Sequence, residues 1–222
     1  MTASDPETLP LVLSAPSGAG KTTIARALVE REEDFAFSVS ATTRRPRGRE
    51  KDGVDYWFLS RAEFLRRVNA GEFAEWAEVH GELYGTPVTS LTSAGEGVRH
   101  VILDIDVQGA GQIREVVPRA LLLFILPPSV DVLLSRLKGR GTEEDSAIRR
   151  RLETARSELE AAEVFDFFVV NDDLDRAVEE VRTLARTRRP PPAGGSGSME
   201  DVRRLRRQVA ALLDRDSRSD SS

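Results

Sequence analysis

Apolar runs recur along the chain at Leu9 to Ser14, Val101 to Ile105, Ala120 to Leu126 and Phe167 to Val170, each bounded by polar or glycine-rich segments. Short runs without polar alternation suit strands that are buried on both faces. Helical periodicity follows each of them: Thr22 to Glu30 places Ile24, Ala27 and Leu28 together, and the segment from Ser129 does the same for Val130, Leu133, Leu134 and Leu137. A further helix is predicted from about Glu143 to Ala162. Strand and helix alternating in this order predict an α/β fold, a parallel sheet core with helices on both faces. From Phe35 to Thr86 the alternation breaks, because Phe35 to Ser40 and Tyr56 to Leu59 read as short strands around a polar, arginine-rich loop. That stretch is predicted to be an inserted subregion of mixed strands. Within it Ser60 and Glu63 have capping-box spacing for a helix through Val68 that stops at Gly71.

The ends read differently. Residues 1–8 are expected to be flexible, and from Thr187 the composition turns to Arg-Arg-Pro-Pro-Pro-Ala-Gly-Gly-Ser-Gly-Ser, which has nothing to bury. The expectation is one domain over 9–187, a linker over 188–198 and a tail over 199–222. In the tail Ser198 is placed to cap a helix through about Leu213, with Val202, Leu205, Val209 and Leu212 at a/d spacing. Two heptads are too few for a stable isolated coiled coil. Both a short amphipathic helix that docks on its own domain, a sister subunit or an acidic partner, and a disordered tail are open at this point.

Composition narrows the chemistry. In 222 residues, 40% hydrophobic and 31% charged, there is enough apolar material for one core. The net charge of −5 argues against a nucleic-acid partner held by the whole-surface field. Without cysteine there is no disulfide, thiol nucleophile or cysteine-based zinc site, and two histidines cannot build a histidine-rich one. Met1 to Pro10 lacks the basic and apolar regions of a secretory signal, and no apolar run is long enough to cross a bilayer. A cytoplasmic protein with no membrane partner is expected. Lys21, Lys51 and Lys138 are the only lysines, leaving 29 of the 32 Lys and Arg residues as arginine. A single arginine is therefore weak evidence here, and a lysine is stronger.

Lys21 stands in Ala15-Pro16-Ser17-Gly18-Ala19-Gly20-Lys21-Thr22, between the first strand and the first helix. This is the context that a phosphate-binding loop requires. Small residues let successive backbone N–H groups turn inward on a β-phosphate, and the helix adds its positive end. Lys21 would bridge β- and γ-phosphate oxygens, and the Thr22 hydroxyl, followed by Thr23, would ligate Mg2+. Ala15 replaces the first glycine of the pattern, which matters only if that position is left-handed. Asp104, at the end of the second run, is the candidate for the metal's water shell; a helix N-cap is its other reading.

From Ser38 to Phe58 the chain carries Ser40, Thr43, Arg44, Arg47, Glu50, Gly53, Asp55, Tyr56 and Phe58, followed by Glu75-Trp76, Tyr84-Gly85-Thr86, Ile102 to Gly109, Pro127-Pro128-Ser129, Arg140-Gly141-Thr142 and Val170 to Leu174. In this order, over roughly Leu9 to Arg186, these motifs resemble those of the guanylate kinase family. The resemblance implies a P-loop NTPase-type sheet core, a GMP-binding insert over about 35–86 and a helical lid over about 136–152. It also implies transfer of the γ-phosphoryl group of ATP to GMP, and to dGMP, with Mg2+ and without a covalent intermediate. By resemblance Arg44, Arg47, Tyr56 and Tyr84 meet the GMP phosphate, which suits the paired hydrogen bonds of guanidinium. Glu75 would accept from the guanine N1–H and N2 amino donors, with Ser40, Thr86 and Asp106 as the other base contacts. Arg136, Arg140 and Arg151 match the lid arginines that close on the transferring phosphates, and Asn171 the residue beside adenine. Gly48-Arg49 departs from the Pro-Gly common in the family.

Read without the resemblance, the arginine loop also suits a solvated charge run, Glu75-Trp76 an amphipathic surface pair, Asn171 a turn, and each lid arginine an exposed helix face. Two other functions are weighed. A non-catalytic phosphopeptide-binding module of the same fold would typically have a damaged phosphate loop, whereas Lys21 and Thr22 are intact. A kinase for another phosphorylated acceptor would not need Glu75, Tyr84 and Asp106 together. Monomer and homo-oligomer are both compatible with the sequence.

Overall fold

The computed structural model describes residues 8–79, 81–91, 97–138, 145–191 and 196–219. The chain forms two compact units, one of residues up to Val12 with Val29–Leu121, the other of Leu13–Leu28 with the residues from Leu122 onward. Strand β1 (Leu9–Ser14) runs from the first into the second.

In the first unit the strand order is β1-β7-β2. Here β2 (Phe35–Phe37) pairs in parallel with β7 (His100–Asp104), Phe35 opposite His100 and Phe37 opposite Ile102. This corrects the expectation that the insert begins at Phe35: β2 belongs to the parallel sheet, and a strand this short has no pattern of its own to reveal its partner. A second, four-stranded sheet follows in the order β4-β3-β6-β5. Its members are β3 (Ala41–Thr42), β4 (Trp57–Phe58), β5 (Phe73–Val79) and β6 (Glu82–Pro87). β3 lies parallel to β4, and the other pairs are antiparallel. Helix α2 (Arg61–Asn69) begins at Ser60, whose hydroxyl accepts from the Glu63 N–H, and buries Phe64 against Ala41 and Leu83. Phe64 stacks on Phe73 with ring centroids 4.4 Å apart. Helix α3 (Val107–Val116) packs on β5.

In the second unit the order is β10-β9-β8-β1. All of β8 (Leu121–Leu126) is buried, as its uninterrupted apolar sequence requires, and β9 (Phe167–Val170) pairs with it in parallel. Helices α1 (Lys21–Arg31), α4 (Val130–Lys138), α5 (Asp145–Glu160) and α6 (Leu174–Thr187) follow the predicted segments. The predicted start of α5 near Glu143 lies outside the described residues.

The carboxyl end departs from expectation. Ser196–Gly197 is not linker but a short strand, β10, antiparallel to β9. Helix α7 (Met199–Ser219) then packs on α5 and α4 and buries Val202, Leu205, Val209 and Leu213. Leu213, rather than Leu212, completes the stripe. Helix α5 supplies the apolar partner that an isolated helix lacks. Residues 1–7, 192–195 and 220–222 of the expected terminus, linker and tail lie outside the described residues.

Candidate active site

In the second unit the chain turns between Ser14 at the end of β1 and Lys21 at the start of α1. Gly18 and Gly20 have φ of +87° and +94°, a region that side-chain-bearing residues avoid. At Gly20 a Cβ would also lie 2.3 Å from the Asn171 amide nitrogen. Arg188 is the only non-glycine residue with positive φ among the described residues, so Ala15 occupies ordinary backbone and its departure from glycine is structurally neutral. The loop is gripped through the Ala19 carbonyl, which accepts from Asn171 Nδ2 at 2.8 Å and Arg136 Nη1 at 3.0 Å. Arg136 Nη2 donates to the Asn171 carbonyl at 3.1 Å. In a trans peptide the N–H opposes the C=O, so fixing the Ala19 carbonyl also fixes the Gly20 N–H.

A cavity of about 730 Å³ opens on this loop, lined by Ala15, Pro16, Ser17, Gly18, Gly20, Lys21, Thr22, Thr23, Arg136, Glu158, Asn171, Asp172 and Leu174. Its volume suits a nucleotide-sized ligand. Every phosphate-loop residue predicted from the sequence lines it except Ala19, which is buried behind. Lys21, as the first residue of α1, stands at the positive end of that helix. Arg151 on α5 donates to Ser17 Oγ at 3.4 Å and to the Leu137 carbonyl at 2.9 Å. Arg140 lies outside the described residues. Asn171 is placed in the cavity, but its amide nitrogen is committed to the loop backbone, a structural use that the sequence reading did not contain.

The first unit gathers a different set. Arg44 is buried and meets Glu50 through two hydrogen bonds of 2.7 Å, while its Cζ lies 4.9 Å from the centroid of the Tyr56 ring. Tyr56 and Tyr84 meet edge to face at 6.3 Å. Glu50 also accepts from the Arg47 N–H, and these bonds hold its carboxyl down at about 2. The Arg47 side chain is exposed. Glu50 entered the sequence reading only as part of a motif; its spacing six residues after Arg44, with a turn between, was the available signal of an ion pair.

Glu75 is buried on β5, where its Oε1 accepts from Thr86 Oγ1 at 2.6 Å. A shift in register between Phe73 and Glu75 turns this carboxylate inward and leaves Trp76 exposed. The surface-pair reading thus holds for Trp76 and fails for Glu75. At Gly109 a Cβ would lie 2.9 Å from Glu75 Oε2, so α3 approaches the carboxylate only because that residue is glycine. Burial pushes the Glu75 carboxyl above the ordinary range, the Thr86 hydrogen bonds oppose it, and Asp106 adds to the rise. Asp106 is the N-cap of α3, accepting from the Gly109 N–H at 2.9 Å. The capping reading weighed for Asp104 therefore belongs to Asp106; Asp104 is half-buried at the end of β7. Ser40 is half-buried, and its carbonyl accepts from the Trp57 N–H at 2.8 Å.

One unit thus presents a phosphate loop, and the other an arginine–tyrosine cluster with a buried carboxylate. The family model described as guanylate kinase matches residues 7–188. The chain belongs to the guanylate kinase family. It is 53% identical over 172 residues to the guanylate kinase of Nitratidesulfovibrio vulgaris, covering 78% of this chain and 83% of that one. The guanylate kinase of Myxococcus xanthus is 49% identical over 180 residues, covering 81% of this chain and 86% of the relative. The crystal structure of guanylate kinase from Anaplasma phagocytophilum resembles it with a TM-score of 0.64 and 31% identity, over 89% of this chain and 94% of that one. The guanylate kinase match ends at residue 188, before β10 and α7.

Proposed function

We propose that this guanylate kinase transfers the γ-phosphoryl group of ATP to the phosphate of GMP, and of dGMP, giving ADP and GDP. The observation that carries the reading is the buried Glu75 carboxylate, hydrogen-bonded by Thr86, in the same unit as the Arg44, Tyr56 and Tyr84 cluster. Guanine offers two adjacent donors, N1–H and the N2 amino group, and a carboxylate has the acceptor capacity for both. Asp106, Ser40 and Thr86 are the remaining proposed base contacts, and Arg44, Arg47, Tyr56 and Tyr84 the phosphate contacts. Glu50 holds the Arg44 fork in a fixed plane, so less side-chain freedom is lost when a phosphate arrives.

For ATP, the proposed site is the loop cavity. The backbone of Ala15 to Gly20 wraps the phosphates, Lys21 bridges the β- and γ-groups, and Arg136, Arg140 and Arg151 neutralise charge on the transferring group. Thr22, Thr23 and Asn171 complete the contacts. Such transfer asks little covalent work of a protein and much positioning and electrostatic stabilisation. Mg2+ fits the donor this cavity presents, the exposed Thr22 hydroxyl, a hard oxygen ligand; Asp104, in the other unit, is a half-buried carboxylate. When bound, the ion would offset charge on the β- and γ-phosphate oxygens, with Thr22 as its ligand from the loop.

The proposed setting is cytoplasmic purine nucleotide metabolism; no described helix is long and apolar enough to cross a membrane. The test is phosphorus NMR of ATP and GMP incubated with the protein and Mg2+. GDP and ADP appearing in equal amounts supports the reading, and ATP consumption without GDP overturns it.

A further inference from the structure

Helix α5 contributes two charged side chains to the phosphate loop, Arg151 and Glu158. Arg151 and Glu158 are seven residues apart, so they project from one face of the helix. Both end on Ser17. Glu158 Oε2 accepts from the Ser17 backbone N–H at 3.0 Å, and Arg151 Nη2 donates to the Ser17 hydroxyl at 3.4 Å. Glu158 is half-buried and lines the same cavity as Lys21 and Arg136. Glu158, like Asp172, brings a carboxylate into a cavity that also holds Lys21 and Arg136, and like charge there opposes binding of a polyanion. Its hydrogen bond to a loop N–H, strengthened by the charge, is what the placement achieves.

We propose that Glu158 is a positioning residue for phosphoryl transfer: by holding the Ser17 peptide it locks the entrance of the phosphate loop to α5, so that the loop and the Arg151 guanidinium are aligned as one piece. The proposal rests on the reading of this cavity as the ATP site and deepens it. Two variants separate reach from charge. Glu158→Gln keeps an oxygen acceptor at the same distance from the backbone. Glu158→Asp keeps the charge but is one methylene too short to meet the Ser17 N–H without moving α5.

The test compares these variants with wild type in steady-state kinetics and by calorimetric titration with ADP. Glu158→Gln is expected to retain kcat/KM for ATP within about threefold, whereas Glu158→Asp and Glu158→Ala lose about 10- to 100-fold, the usual effect of losing a hydrogen bond to a charged group. The KM for GMP at saturating ATP should change by less than about twofold, since the proposed joint affects the ATP side. In an Arg151→Ala background the Glu158→Asp loss should shrink to less than about threefold, because both side chains act through Ser17. Glu158→Asp with wild-type kcat/KM for ATP, loss in Gln equal to that in Asp, or strict additivity with Arg151→Ala overturns the proposal. ADP binding to the wild type separates this from the underlying reading: if wild-type protein binds no ADP, the cavity assignment itself fails, whereas normal binding with indifferent Glu158 variants rejects only the role of Glu158.

Discussion

Leu205→Ala tests whether the carboxyl-terminal helix is part of the folded body. Leu205 is 1% exposed, flanked by Val202 at 2% and Val209 at 0% on the same face of α7. Helix α7 packs on α5 and α4, so truncating the side chain leaves a cavity against them rather than a patch that water can fill. Leu-to-Ala changes at such sites cost about 2–5 kcal/mol, the transfer free energy of the lost atoms plus that of the void. Taking about 3 kcal/mol, and about 2–4 °C per kcal/mol for a chain of this size, the melting temperature should fall by about 6–12 °C. The control is Arg206→Ala on the exposed face, expected within about ±0.5 kcal/mol of wild type. Differential scanning calorimetry on both variants decides the matter. A Leu205→Ala melting temperature within about 1 °C of wild type would refute the docked helix and restore the reading of a tail independent of the domain.

Lys21→Met should lower kcat at least about 100-fold while leaving the melting temperature nearly unchanged, because it removes a charge needed as the transition state develops; a variant with wild-type turnover contradicts the loop assignment. Glu75→Gln should lower GMP use and yet stabilise the fold at neutral pH. The Glu75 carboxyl is raised by burial and by Asp106, so its contribution to stability is present below the ordinary carboxylate range and is lost as pH rises through the raised native value. The melting temperature of Glu75→Gln should therefore exceed that of wild type near pH 7.5, and the gain should vanish near pH 4; a gain independent of pH would falsify this electrostatic account.

The parts of the molecule that were legible from sequence are those in which local pattern and final environment agree. The unbroken apolar run of Leu121–Leu126 could only be an interior strand, and the glycines at 18 and 20 mark the left-handed turns that the phosphate loop makes. Glu75 illustrates the opposite case. Between Ala74 and Trp76, alternation would send the tryptophan and the glutamate to opposite faces with the tryptophan inward, and only the register shift in β5 reverses this. Its assignment came from family resemblance, and burial of a carboxylate at that point has no local signature. For α7 the amphipathic stripe was visible, but whether a stripe docks depends on α5, to which the Pro/Gly/Ser composition before it gives no clue. Glu158 was missed because it reads as one more charged residue on a charged helix; its spacing of two turns from Arg151 was the usable signal.

If the buried Glu75 carboxylate selects guanine, kcat/KM for GMP, AMP, CMP and UMP in an assay coupled to ADP release will show it. AMP would present the N1 lone pair to Glu75 where GMP presents a donor, and would offer no N2 amino group to Asp106. Sites that leave buried polar groups unpaired against the wrong substrate can reject it by roughly 10⁴-fold, whereas an apolar pocket manages about 100-fold. GMP is accordingly expected to be preferred over each of the other three by at least about 10³. Comparable kcat/KM values for GMP and AMP would show that Glu75 does not select guanine.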